Sequence, residues 1–155
     1  MLDPTSSSGC RTIRYSDPDE LQTITREAEI ELLQSSRGGL EGATRRFSAR
    51  EVAMQHTVLS TSTILRGAVS PSSIVLFLPL RWEGDYKLNG VTIEQPRPLS
   101  IEDEFVRSAT NLDTLSFALP REPVEAAALA LAGLAEKKRE IGTAVIQGPP
   151  TELAA

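Results

Sequence analysis

The chain has one cysteine, Cys10, and one histidine, His56. A single thiol closes no disulfide within the chain, which fits a reducing, cytoplasmic setting. A single imidazole leaves no site built from several histidines. Positive charge is also scarce. Sixteen Lys and Arg stand against 21 Asp and Glu, a net charge of −5 with a sequence pI of about 5.0. Gripping a phosphate backbone takes clustered basic residues. The tight basic clusters are Arg45-Arg46 and Lys137-Lys138-Arg139, neither interleaved with aromatics, and they read as solvated faces. Long apolar runs are missing too. Residues 74–80 (IVLFLPL) and 126–135 (AAALALAGLA) fall well short of the ~20 that span a bilayer. Residues 1–9 (MLDPTSSSG) have neither a basic nor an apolar block and do not read as a signal peptide. There is no Gly-x-Gly-x-x-Gly, no Walker pattern and no Gly-x-Ser-x-Gly elbow.

What is present suits one soluble domain. At 155 residues, 40% apolar and 24% charged, the composition argues against disorder along the whole length. A chain of this size buries roughly 68–70% of its extended surface, enough for a core. Residues 1–15 are Ser-rich and predict a flexible arm. Ser16-Asp17-Pro18-Asp19-Glu20 reads as a helix start, with Ser16 as cap, Pro18 in the first turn and acids at the positive end of the dipole. A short helix to about Arg26 follows.

The period then changes to two. Ala28, Ile30 and Leu32 alternate with Glu27, Glu29 and Glu31, the pattern of a half-buried strand. Arg37-Gly38-Gly39 is a turn. Residues 40–47, 52–59 and 62–69 read as strands, and 70–73 (SPSS) as a turn. Residues 74–82 (IVLFLPLRW) are apolar on both faces and suit a central strand, with Pro79 at a bulge or edge. Asn89-Gly90, between 86–88 and 91–93, is a hairpin signal, since both residues tolerate positive φ. Residues 99–101, 105–107 and 112–119 complete the series, the last with Leu115, Phe117 and Leu119 expected to face inward. Eight or nine short strands between residues 27 and 119 predict a sandwich or barrel.

After Pro120 the spacing turns helical. Val124, Ala127, Ala128, Leu131, Leu134 and Ala135 share a face, Lys137-Lys138-Arg139 suit a C-terminus, and Gly142 ends the run. Gly133 is a candidate break. Thr151 to Ala155 looks like a cap and first turn, so residues 121–155 are expected to form a helical segment that stops inside an element.

Catalytic chemistry has little to stand on. The carboxylates Asp17, Asp19 and Glu20, or Glu102, Asp103 and Glu104, are formal metal candidates, but they read more plainly as a helix start and a solvated turn. A nucleophile needs a nearby base, and His56 lies in mid-strand between Met54 and Val58. We expect neither metal nor cofactor. Trp82, Tyr86, His56, Arg81 and Arg66 are candidates for lining a small-molecule pocket in an apolar β interior. The plainer alternative makes Trp82 a core anchor.

The order of segments resembles the N-terminal sensor domain of AraC/XylS-type transcriptional regulators. The likeness rests on Ser16 to Leu21 opening a short helix, then Ile30-Glu31-Leu32-Leu33 leading to Arg37-Gly38. Val75 to Leu80, Leu88-Asn89-Gly90 and Glu104-Phe105-Val106-Arg107 follow, and Leu115 to Pro120 runs into the Ala/Leu-rich helix. It covers about residues 16–135. The resemblance implies a mainly β, cupin-like double-stranded β-helix, a jelly-roll-like barrel, over residues 16–120. It further implies a small effector, a homodimer formed through the C-terminal helices, and DNA contact only through a helix-turn-helix domain outside this chain. Residues 99–103 lack the Pro-Gly usual before the Glu-Phe stretch, and the His-with-Glu metal cluster of cupin enzymes is not here. The rival readings are a metal-dependent small cupin enzyme and a stand-alone truncated regulator acting as an interaction module.

Overall fold

The computed structural model describes residues 9–25 and 28–132. In chain order they form β1 (Gly9–Tyr15), α1 (Asp19–Ile24), β2 (Ala28–Gln34), β3 (Gly42–Ala49), β4 (Val52–Val69), β5 (Ser73–Leu88), β6 (Val91–Ile93), β7 (Leu99–Ile101), β8 (Glu104–Pro120) and α2 (Arg121–Ala132). The mainly β expectation holds. The eight strands make one sheet in the order β1-β3-β4-β8-β5-β6, with β2 also on β4 and β7 also on β5. Every pairing is antiparallel.

Three strands at the centre are unusually long: β4 has 18 residues, β5 has 16 and β8 has 17, against a typical five or six, roughly. Each carries an irregularity near its middle. The β4–β8 register shifts between Leu59 and Ser62, and the β5–β8 register shifts repeatedly between Pro79 and Lys87. Asn111 (φ 47°) and Gly84 (φ 63°) take left-handed backbone there. Such bulges bend a strand and re-aim its side chains. On one side of the bend the trio is extended by β3, β1 and β7; on the other, by β2 and β6. Only two helices accompany the strands among the described residues, so the inner faces of the two halves must bury each other. One core cluster joins them, with Val75, Phe77 and Leu99 from the first half and Leu65, Leu88 and Phe105 from the second.

Several expectations are corrected. Residues 9–15, read as part of a flexible arm, form β1 and pair with β3 from Gly9↔Ser48 to Tyr15↔Gly42; residues 1–8 lie outside the described residues. Residues 52–59 and 62–69 are one strand, as are 74–82 with 86–88, and 105–107 with 112–119. The polar links between them are bulges inside strands rather than turns. The inward face of residues 112–119 is also reversed: Leu112 and Thr114 are buried, while Leu115, Phe117 and Leu119 are only half-buried. In the first half of β8 the buried positions are Phe105, Arg107 and Ala109, and the left-handed Asn111 switches the parity.

Local signals elsewhere did hold. Asn89 (φ 49°) and Gly90 (φ 78°) form the hairpin turn between β5 and β6. The Asn89 amide oxygen also accepts the Val106 N–H at 2.7 Å, tying the turn to β8. At α1 the start lies where expected, but Asp17 rather than Ser16 accepts a backbone N–H, that of Asp19. Gly133, Lys137-Lys138-Arg139, Gly142 and residues 151–155 of the expected helical segment lie outside the described residues.

Gly42 is a position that admits no side chain. A Cβ there would sit 2.1 Å from Cε2 of the buried Tyr15 ring. Gly42→Ala is therefore expected to cost about 1–3 kcal/mol, the usual range for overpacking. The cost should shrink when Tyr15 is also changed to Ala. Urea unfolding of the two single variants and the double variant measures this; additive losses would mean that the ring is not what Gly42 accommodates.

Candidate functional site

The inner face of the first half is built from small and polar residues in cross-strand rows. Ala53, Ala118 and Val75 are neighbours in one row, Gln55, Ser116 and Phe77 in the next, and Thr44, Thr57 and Thr114 in the third. Short side chains leave space above the sheet. The facing half contributes Leu65 beside Arg107 and Gly67 beside Phe105. Between the halves lies a cavity of about 60 Å³, lined by residues that include Gln55, Thr57, Phe77, Phe105, Arg107 and Ser116. Gly67 keeps Phe105 in place, since a Cβ there would come 2.9 Å from its ring and 2.7 Å from the Glu29 carbonyl oxygen.

Arg107 dominates the electrostatics. It is 3% exposed. Its guanidinium lies over the Phe77 ring, 5.3 Å from the centroid, and Phe77 meets Phe105 edge-on at 5.5 Å. Among the described residues no carboxylate pairs with it. Burial pulls its pKa below the ordinary arginine range, and the phenols of Tyr86 and Tyr15 only partly oppose this. Arginine nonetheless keeps its proton in proteins, so the core holds a full positive charge. A buried charge without a partner is costly; a ring face returns about 0.5–2 kcal/mol of it.

The phenols around Arg107 are desolvated as well. Tyr86 is fully buried, and its hydroxyl has no partner at hydrogen-bond geometry. Burial pushes its pKa above 10.0, against a smaller opposing pull from Arg107. Burial likewise raises Tyr15, countered by its contact with Thr44 and by Arg107. The Tyr15 hydroxyl lies 3.3 Å from Thr44 Oγ1, which is 3.0 Å from Thr57 Oγ1, so a chain of hydroxyls runs from β1 to the cavity wall.

The five residues expected to line a pocket do not come together. Trp82 and Tyr86 meet, with ring centroids 5.4 Å apart, and Trp82 packs against the core cluster. His56 faces outward, where Nε2 is 2.7 Å from Asp113 Oδ1. Arg81 is exposed on the strand beside Asp113. Arg66 is exposed in an open surface groove with Glu29, Glu31 and Glu104. The reason is parity: Ala53, Gln55, Thr57 and Leu59 take the inner face of β4, which turns His56 and Arg66 out. Arg107 went unread as a site residue. Its available signal was an arginine in register with Phe105 and Ala109, the inward positions of its strand.

Among the described residues, no group of three His, Cys, Asp or Glu side chains comes together, and no helix is long and apolar enough to cross a membrane. Comparisons with protein-family models, with curated proteins and with solved structures find no match in any of the three.

The phenols carry a pH prediction. A Tyr whose folded pKa is raised holds its proton more tightly when folded, so its contribution is intact below the unfolded value and is lost as pH rises through the folded one. Stability should fall as pH climbs above 10.0. The fall should be shallower in Tyr86→Phe. Urea midpoints taken across the alkaline range check this; equal slopes in the two proteins would refute it.

Proposed function

We propose that this chain is the effector-sensing and dimerisation unit of an AraC/XylS-type transcriptional regulator, its sheet wound as a cupin-like double-stranded β-helix. The observation that carries this reading is an antiparallel sheet around a mostly apolar cavity with a few polar groups, running directly into a helix with uncovered apolar side chains. On α2, Leu129 is 44% and Leu131 89% exposed. Apolar helix residues in that state favour association with another apolar surface.

The junction between sheet and helix is firmly made. Arg121 opens α2. Its Nη1 donates to Glu102 Oε2, its Nε donates to the Pro71 carbonyl at 2.8 Å, and its backbone N–H donates to the Ser72 carbonyl at 2.9 Å. One side chain thus fastens the helix to the β4–β5 turn and to the residue after β7. In the proposed role an effector acts by binding one arrangement of cavity and helix better than another, which shifts the population between them. The reading assigns the chain no catalysis and no direct contact with DNA.

Sedimentation tests it. The chain is expected to form a concentration-dependent dimer, and the double change Leu129→Glu with Leu131→Glu should weaken the dimer about tenfold or more. Fused to a DNA-binding domain that represses only as a dimer, the native sequence should repress and the variant should not. A chain that stays monomeric to its solubility limit and fails to repress would remove the dimerisation role.

A further inference from the structure

We propose that the cavity beside Arg107 is a binding site for a small monocarboxylate: the carboxylate on the Arg107 guanidinium and a short apolar body against Phe77 and Phe105. This deepens the sensing reading by naming the effector class, and its physiological meaning rests on that reading.

Arg107 is 3% exposed and faces a cavity. No acid among the described residues neutralises it; its neighbours are the Phe77 ring and the Tyr86 phenol, neither of which carries a negative charge. An arginine has five N–H donors in a fork that matches a carboxylate edge-on. A guanidinium can keep an aromatic ring as neighbour and still offer N–H groups to such a pair. A purely structural cation at this position would be expected to face an acid, as Arg121 faces Glu102.

One positive charge matches a monoanion. A phosphate dianion would need more donors than the cavity supplies, because Phe77, Phe105, Leu65 and Val75 make the walls largely apolar. The space of about 60 Å³ corresponds to only a few water-sized particles at the ~10–15 Å³ that one occupies on this measure. That admits a two- to four-carbon acid and excludes a sugar. Thr57, Ser116 and Gln55 offer hydroxyl and amide groups opposite the cation, which provide for a second, neutral polar group on the acid or for a bridging water.

Titration with acetate, propionate and butyrate, followed by amide chemical shifts and by nuclear Overhauser contacts to the Phe77 and Phe105 rings, is the test. Propionamide is the neutral control, and chloride and inorganic phosphate are the anion controls. The expected result is saturable binding of the acids, with contacts to both rings, and at least tenfold weaker binding of propionamide and phosphate. Arg107→Met should weaken acid binding about tenfold or more. If that variant does not fold, the ring contacts in the native protein decide the matter alone. Acids that do not saturate, amide and acid binding equally, or shifts that map to the outer surface would overturn the site. The sensing reading fails separately: if the acids bind at the rings but leave dimerisation and reporter repression unchanged, the site stands and the effector role does not. If a neutral compound changes repression while the acids do not bind, the reverse holds.

Discussion

The guanidinium of Arg107 is the constraint around which the interior is organised. A positive charge in a core lacking an acid is tolerated only where neighbours offer electron-rich faces or phenol oxygens. Phe77 and Tyr86 supply these from the two ends of β5, and Tyr15 from β1. These groups sit in place because the sheet doubles over. Phe77 lies before the β5 irregularity and Tyr86 after it, while Arg107 projects from the other half of the paired strand β8. Straight strands would hold them far apart along the sheet. Bending, aromatic placement and the buried cation therefore depend on one another, and the left-handed Asn111 is central to that dependence. Without its switch of parity, Arg107 and Thr114 would point to opposite faces of β8.

The same bend explains which parts of the fold were legible in the sequence. Alternation in residues 28–34, the Asn89-Gly90 turn and the short β7 are local matters, settled by side-chain period and by backbone freedom at two positions. Strand length was not local. Ser60-Thr61, Glu83-Gly84-Asp85 and Asn111 interrupt the apolar pattern, and an interruption in sequence does not distinguish a turn from a bulge. Only partner strands decide that, and here each interruption has a long strand alongside it to keep the ladder running. Residues 9–15 were illegible for a related reason. β1 is exposed apart from Tyr15 and half-buried Ile13, so it is ordered by its ladder with β3 rather than by an apolar face.

The candidate site was hidden because half of the sheet is patterned against the usual rule. On the cavity side stand Thr57, Thr114, Ser116 and Gln55. On the outer side stands a cross-strand row of Phe47, Met54, Phe117 and Leu76. Read by hydrophobicity alone, such strands assign themselves the wrong way round, which placed Leu115 and Phe117 inside and left His56 as a pocket candidate. A polar interior is costly to keep, since each buried hydroxyl needs a partner. The contacts from Tyr15 through Thr44 to Thr57 and from Thr114 to the Leu78 carbonyl meet much of that need. An apolar filling of the same rows would have given a more stable shell with no room inside.

Arg121 gives this arrangement a consequence beyond the cavity. Its guanidinium holds the Pro71 and Ser73 carbonyls at the start of β5 and both the side chain and the carbonyl of Glu102 just after β7. Phe77, the ring beneath Arg107, lies four residues along β5 from Ser73 and pairs with Leu99 of β7. The floor of the cavity and the root of α2 are thus joined by one short stretch of β5. In the proposed role, a group bound against Phe77 would touch the same stretch of β5 that carries Arg121 contacts, and packed elements of this kind move between discrete arrangements rather than deforming smoothly. Coupling through such a segment requires that the occupied cavity favour one arrangement by a definite free energy. The neutralisation of a buried charge is the largest such difference that this interior has to offer.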